Sequence, residues 1–290
     1  MKIGNNAAVF DNFEDTLNEF MHLKELGYDT ADVLLHKTEN PWYASDEAMA
    51  AKCAEIRECA DRSGLEIFQV HGPWPTDDKS PESREKVWEY MHRCVYACGL
   101  LNAPYMVIHP QMPFGWEQEH DNGQFARELT VKLLRDLVPD CEKYNVTVCL
   151  ENMPMKKHFN STMENIVKMV KEADSPYIQI CMDTGHSNIF GHNLGDDVRC
   201  AGSLLKTVHI HDNNGNSDQH LLPYLGTADW DSFVKALAEV GFEGSISMET
   251  NGAVSSAMPS DVYSLAEKVT VATAKSLAAQ VKNNCNTSKK

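Results

Sequence analysis

The sequence predicts a single (β/α)8 barrel, and three observations carry that prediction. Eight short apolar runs alternate with amphipathic helical patterns from one end of the chain to the other. The 290-residue length suits one such barrel, and no linker divides it. Six consecutive runs end on a histidine or a carboxylate, at the face where this architecture places its chemistry.

The strand-like runs fall at 6–10, 31–36, 66–71, 104–109, 146–151, 178–183, 206–211 and 245–250. The first intervening helix is expected at 13–26, where Phe13, Leu17, Phe20 and Leu23 recur at helical spacing. Further helices are expected at 46–63, 83–99, 125–144, 161–173 and 229–240, with a weaker pattern near 195–204 and a last helix at 260–282. The polar, turn-rich stretches 73–81 (PWPTDDKSP) and 112–122 follow strands and read as loops between strand and helix. One domain is expected over 1–282, with the polar residues 283–290 as a frayed tail.

Composition narrows the function classes. Hydrophobic residues make up 42% and charged residues 23%, enough to bury a core and stay in solution. No apolar run approaches the roughly 20 residues that a membrane span needs. The segment from Met1 to Asn6 turns polar before a signal-peptide core could form, which predicts a cytoplasmic location. The formal charge of −16, from 26 basic against 42 acidic residues, repels a phosphate backbone and disfavours nucleic acid as a partner. The nine cysteines include no CxxC pair and are expected to be reduced, mostly buried thiols; Cys149 and Cys181 lie inside strand-like runs.

The strand ends are the informative places. Strand three ends at His71, strand four at His109, strand five at Glu151 and strand six at Asp183, with His186 three residues on. Strand seven alternates Val208 and Ile210 with His209 and His211, and strand eight alternates Ile246 and Met248 with Ser247 and Glu249. Alternate residues of a strand face opposite ways, so the polar set points into the barrel mouth while the apolar set faces the helices. A single strand-end histidine is commonly a hydrogen-bonded core residue, and a single strand-end Asp or Glu commonly caps the next helix. Six strands in succession point instead to a divalent-metal site. Imidazoles with carboxylates are the ligand types of Mn²⁺, Zn²⁺ or Co²⁺. Without a cation, acidic groups converging in a low-dielectric mouth repel one another. Of the other histidines, His36 closes strand two and could line a pocket, whereas His22, His92, His120, His158 and His192 are expected at the surface.

The ordered series VHGPW, VIHP, LENMP, MDTGH, VHIHDN and METN, spanning about residues 65–250, resembles the xylose isomerase-like TIM barrels. That superfamily holds sugar and sugar-phosphate isomerases and epimerases, related dehydratases, and abasic-site nucleases of the endonuclease IV type. For the epimerase branch the resemblance implies one ion held by Glu151, Asp183, His209 and Glu249. It also implies that Glu151 and Glu249 exchange protons with the sugar while His186 touches a substrate oxygen; His211 is a further candidate for substrate contact. The chain departs from the ketose epimerases six residues past His209, where their substrate-binding arginine is replaced by Gly215. For the nuclease branch the resemblance implies further metal ligands at His71 and His109, and at His186 with Asp218 and His220. These five are alternatively substrate contacts or ordinary loop residues. The basic and aromatic DNA-penetrating loops of that branch are not evident.

The expected activity is isomerisation or epimerisation of a sugar, sugar phosphate or related polyol or keto compound. It would proceed by proton transfer through a metal-stabilised cis-enediolate, with one to three ions. Metal-dependent phosphodiester hydrolysis, or lyase chemistry on the same site, is the alternative. The expected partner is a small sugar-like molecule, and a homo-oligomer stays open.

Overall fold

Eight parallel strands close into a barrel in the order β1-β8-β7-β6-β5-β4-β3-β2. They are β1 (Lys2–Ala7), β2 (Thr30–Leu34), β3 (Glu66–His71), β4 (Tyr105–Ile108), β5 (Thr147–Glu151), β6 (Ile178–Asp183), β7 (Leu205–Ile210) and β8 (Ser245–Met248). The computed structural model describes residues 1–78, 80–113, 123–254 and 257–287. Helices α1 (Phe13–Leu26), α2 (Asp46–Ser63), α3 (Pro81–Leu101), α4 (Gln124–Tyr144) and α5 (Met163–Ala173) follow the first five strands. The sixth is followed by α6 (Thr184–Ile189) and α7 (Leu194–Ala201), the seventh by α8 (Trp230–Glu239) and the eighth by α9 (Ser260–Thr287).

Local chemistry punctuates these elements. Asn12 caps α1 by accepting from the Glu14 N–H, and Gly27 ends that helix in the left-handed region at φ 100°. Ser45 and Asp229 cap α2 and α8 in the same way. Ser80 and Ser83 close a reciprocal capping box on α3.

Several expected boundaries moved. The first strand lies at Lys2–Ala7 rather than 6–10, because pairing with β8 through Ile3 and Ile246 and with β2 through Gly4 and Thr30 sets its position. The apolar run that suggested otherwise continues into a loop, where the Phe10 N–H donates to Thr16 Oγ1. The second strand ends at Leu34, although the Leu35 N–H still donates to the His71 carbonyl at 3.1 Å. The last helix continues through the position where fraying was expected, to Thr287. The loops at 73–81 and 112–122 also do more than connect, since Asp77–Asp78 and Met112–Pro113 pair as a short parallel ribbon. Residues 114–122, with His120, lie outside the described residues, as do 288–290.

Packing separates the two faces of the strands. Ile108, Leu150, Met182, Val208, Ile246 and Met248 join the large core between barrel and helices. Val107, Cys149 and Cys181 form a small separate cluster inside the barrel. Each fully buried Ile, Leu or Val here contributes about 1.5–3 kcal/mol relative to exposure. That contribution pins the register and therefore fixes which residues turn inward. All nine cysteines are free; seven are buried, whereas Cys200 is exposed and Cys285 half-buried. No helix among the described residues is long and apolar enough to cross a membrane.

Candidate metal centre and active site

Two residues beyond the inward Val107, Cys149, Cys181, Thr207 and Ser247 stand His109, Glu151, Asp183, His209 and Glu249. Strand alternation therefore brings all five to the mouth. His71 joins them from β3.

The centre of the arrangement is His209 Nδ1. Glu151 Oε1 and Glu249 Oε2 each lie 3.2 Å from it. Ligand atoms of Asp183, His209 and Glu249 all lie within 4.8 Å of one another. Atoms bound to one ion at about 2.0–2.2 Å stand about 3.0–3.5 Å apart, so this donor set fits a shared divalent cation. The other nitrogen of His209 is held from below: Nε2 is 3.1 Å from Asp32 Oδ2, an oxygen that also accepts from Gln69 Nε2. A proton on Nε2 directed at Asp32 leaves Nδ1 free to bind a cation, the usual support for a metal-binding imidazole.

Charge is balanced within this group. Burial would push Glu151 up, but His209 and His109 hold it well below the ordinary carboxylate range. Burial would push His209 down, but Cys181, Glu151 and Glu249 raise it well above the usual imidazole value.

A second group shares Glu151. His109 Nε2 lies 3.2 Å and His71 Nε2 4.0 Å from Glu151 Oε2. The His71 Nδ1–H donates to the Gly72 carbonyl, which turns Nε2 toward the carboxylate.

A third group comes from the loop between β7 and α8. Asp218 Oδ2 lies 3.3 Å from both His186 Nε2 and His220 Nε2. His186 donates through Nδ1 to the Asn152 carbonyl at 2.7 Å, and His220 through Nδ1 to the Glu249 carbonyl at 2.8 Å. Both rings thus aim Nε2 at the same carboxylate. Burial opposes protonation of His186, but Asp183 and Asp218 raise it to about 10. His220 is likewise raised to about 9 by Asp218 and Glu249, against its burial. Asp218 is held below its ordinary value by hydrogen bonds from both histidines, against its own burial.

Asp212 holds that loop in place. Its carboxylate accepts from the backbone N–H groups of Asn213, Tyr224, Gly226 and Ala228 and from Trp230 Nε1. Gly226 is required by this close approach, because a Cβ there would lie 2.2 Å from Asp212 Oδ1.

Asp183 has two tasks. Oδ1 caps α6 through the His186 N–H at 2.7 Å, and Oδ2 faces His211 Nε2 at 2.9 Å. His211, expected to contact substrate, is fully buried and stacks on His220 with ring centroids 4.0 Å apart. It fits only because residue 185 is glycine, whose Cβ would lie 2.0 Å from the His211 ring.

Above these groups opens a cavity of about 230 Å³. Its walls include His71, His109, Glu151, His186, Asp218, His220 and Glu249, together with His36 and Trp74. Asp183, His209 and His211 are not among its lining residues. His36 therefore lines the pocket, and burial with the neighbouring His71 lowers it to about 4.

His158 departs from its expected surface position. The chain after β5 turns back on itself, with the Met153 N–H donating to the Ser161 carbonyl, and buries His158 to 1% exposure. Sequence reading also passed over Asp32, Gln69, Asn152 and Asp212. Asp32 and Gln69 carried a signal: each is a polar residue inside an apolar strand, and Gln69 shares the parity of His71.

The model of the xylose isomerase-like TIM barrel family matches residues 20–272. An uncharacterised protein of Methanocaldococcus jannaschii is 28% identical over 262 residues, covering 86% of this chain and 83% of the relative. A D-psicose 3-epimerase of Enterocloster bolteae is 23% identical, covering 82% and 77%. A probable endonuclease 4 of Mycoplasmopsis synoviae is 23% identical, covering 52% and 55%. Among solved structures, a D-tagatose 3-epimerase-like protein aligns with TM-score 0.75 and 22% identity over all of both chains. The 3-keto-D-glucoside 4-epimerase YcjR from E. coli aligns with TM-score 0.74 and 21% identity, over 95% of this chain and 99% of that one. The IOLI protein with a bound zinc atom aligns with TM-score 0.71 and 19% identity, over 97% and 98%. At these identities the structural likeness establishes the fold. With the family model covering most of its length, the chain belongs to the xylose isomerase-like TIM barrels.

Proposed function

We propose that the protein is a divalent-metal-dependent epimerase or isomerase of an unphosphorylated sugar or sugar-like keto compound. The observation that carries this reading is the placement of Glu151 and Glu249, each 3.2 Å from His209 Nδ1 and each exposed to the same cavity. They arrive from β5 and from the residue after β8, strands that are not neighbours in the barrel. A sugar lying over His209 is therefore reached from two sides. One carboxylate takes the proton from the carbon next to the carbonyl, and the other returns a proton to that carbon or its neighbour. The Glu249 side chain is 17% exposed and that of Glu151 2%, so Glu249 meets the substrate more openly. Glu151, Asp183, His209 and Glu249 would hold a divalent ion, which would supply Lewis acidity at the oxygens beside that carbon. His186, Asp218 and His220 line the rim, where substrate hydroxyls would meet them. The epimerases among the relatives and the zinc atom of the IOLI structure support this reading.

No Lys or Arg lines the cavity among the described residues. A phosphate group would lack its usual partners there, which favours an unphosphorylated substrate. The test is solvent-deuterium exchange into a panel of ketoses and 3-keto-sugars with Mn²⁺, Zn²⁺ or Co²⁺. Deuterium should enter the carbon next to the carbonyl, whereas no exchange with any sugar would overturn the proposal.

A second reading is metal-dependent phosphodiester hydrolysis. It is favoured by the convergence of all three groups, His71–His109–Glu151, Glu151–Asp183–His209–Glu249 and His186–Asp218–His220. Three equivalents of metal together with cleavage of an abasic duplex would establish it over the epimerase reading.

A further inference from the structure

A second cavity of about 220 Å³ lies beside the first, between the barrel top and helices α1 and α9. Asn6, Leu34 and Asn251 line both, so the two meet across a shared rim. Beyond that rim the walls combine carboxylates and amides with apolar surface. Glu19, Glu267 and Asn5 supply the polar part, while Leu23, Leu26, Val254, Tyr28 and Tyr263 supply the apolar part. His22 Nε2 lies 2.6 Å from Glu267 Oε1, so that carboxylate is already oriented. The amides of Asn6 and Asn251 make no hydrogen bond to protein among the described residues and stand open at the rim. Among the described residues no Lys or Arg lines this cavity either.

Carboxylates and amides suit a sugar's neighbouring hydroxyls, and leucine, valine and tyrosine suit its C–H faces. A second anion is excluded by the charge of the walls. We propose that this cavity binds a neutral second glycosyl unit, so that the substrate is a keto-sugar carrying another sugar rather than a free monosaccharide. The proposal rests on the epimerase reading for the reacting ring and adds a separate subsite for the other ring. Burial raises the Glu19 carboxyl above its ordinary value.

The experiment has two arms, both on the metal-loaded full-length protein. The first compares deuterium exchange into isomaltulose, a glucosyl-fructose, with exchange into fructose. Wild type should show kcat/KM at least about tenfold higher for the disaccharide, the value of one well-made additional contact. Val254→Trp, which fills the second cavity, and Glu267→Gln should remove that advantage while leaving fructose unchanged. Equal rates on both sugars in wild type, or equal losses on both in the variants, would overturn the subsite. The second arm measures binding of methyl α-D-glucoside, which carries the anomeric configuration of isomaltulose's glucosyl unit, by calorimetry, without turnover. Binding that is present in wild type and lost in Val254→Trp supports the subsite even where no sugar exchanges deuterium, in which case only the epimerase reading has failed. Absence of glucoside binding in wild type overturns the subsite even where fructose is turned over.

Discussion

Glu151 and His209 stand on barrel strands and Glu249 on the residue just after one, whereas Asp218 and His220 reach the same mouth from the loop between β7 and α8. The first set is positioned by ladder hydrogen bonds and by core packing of its strand neighbours. The second depends on one buried carboxylate, Asp212, and the five N–H groups it collects. Both sets converge on distances of 3.2–3.3 Å. Their stability to perturbation should nevertheless differ, because removing one side chain cannot unravel a barrel strand but can release a loop.

The strand-borne set should give the largest effect. Glu249→Gln keeps the shape of the side chain and removes its capacity to take a proton, so turnover should fall by about 10³-fold while folding is unaffected. Turnover within a few-fold of wild type would remove Glu249 from the chemistry.

Next comes the support beneath His209. Asp32→Asn weakens the hold on Nε2 and should lower metal affinity by about 10–100-fold, read by competition with a chelator. An unchanged affinity would show that the barrel walls orient His209 without Asp32.

The loop-borne set is broken at its anchor. Asp212→Asn should cost about 2 kcal/mol of stability in urea unfolding, because N–H groups lose a charged acceptor. It should also lower the metal content by the loop's share while the strand-borne ion stays. Asp218→Asn sharpens the contrast, since it should change metal content in the same way with little loss of stability. Elemental analysis showing a single equivalent that neither variant alters would mean that the loop set binds no ion.

The smallest effect is a pH dependence of the metal-free protein. His186 and His220 have folded values of about 10 and 9 against an ordinary 6.5, so the folded state holds these protons more tightly than the unfolded chain. Their contribution is complete below about pH 6.5 and is lost as pH rises through 9 to 10. With chelator present, the Tm should fall across that window, and Asp218→Asn should flatten the fall. A Tm that rises from pH 7 to 10, with the variant no different, would contradict the pairing.

What was legible in the sequence follows from local periodicity. Alternation along strands three to eight was enough to place His71, His109, Glu151, Asp183, His209 and Glu249 at one end of a barrel, because side-chain direction repeats every two residues. The same logic applied to 31–36 and 66–71 would have found Asp32 and Gln69, whose polar side chains interrupt apolar strands. The first strand escaped it, because the apolar residues at 8–10 belong to a loop and its true span is set by distant partners such as Thr30 and Ser245. Asp212 was not predicted and the return of His220 was implied only by the family resemblance, since a loop's path depends on which distant N–H groups find a buried acceptor. His158 was misplaced for the same reason, because nothing adjacent to it in sequence announces its burial. The sequence by itself determined the barrel and the polar mouth, through short-range rules of strand and helix. Only the tertiary structure decided that the loop closes over that mouth, that His211 lies behind Asp183, and that a second cavity opens beside the first. Those features are made by contacts between residues far apart in sequence, and no local pattern encodes them.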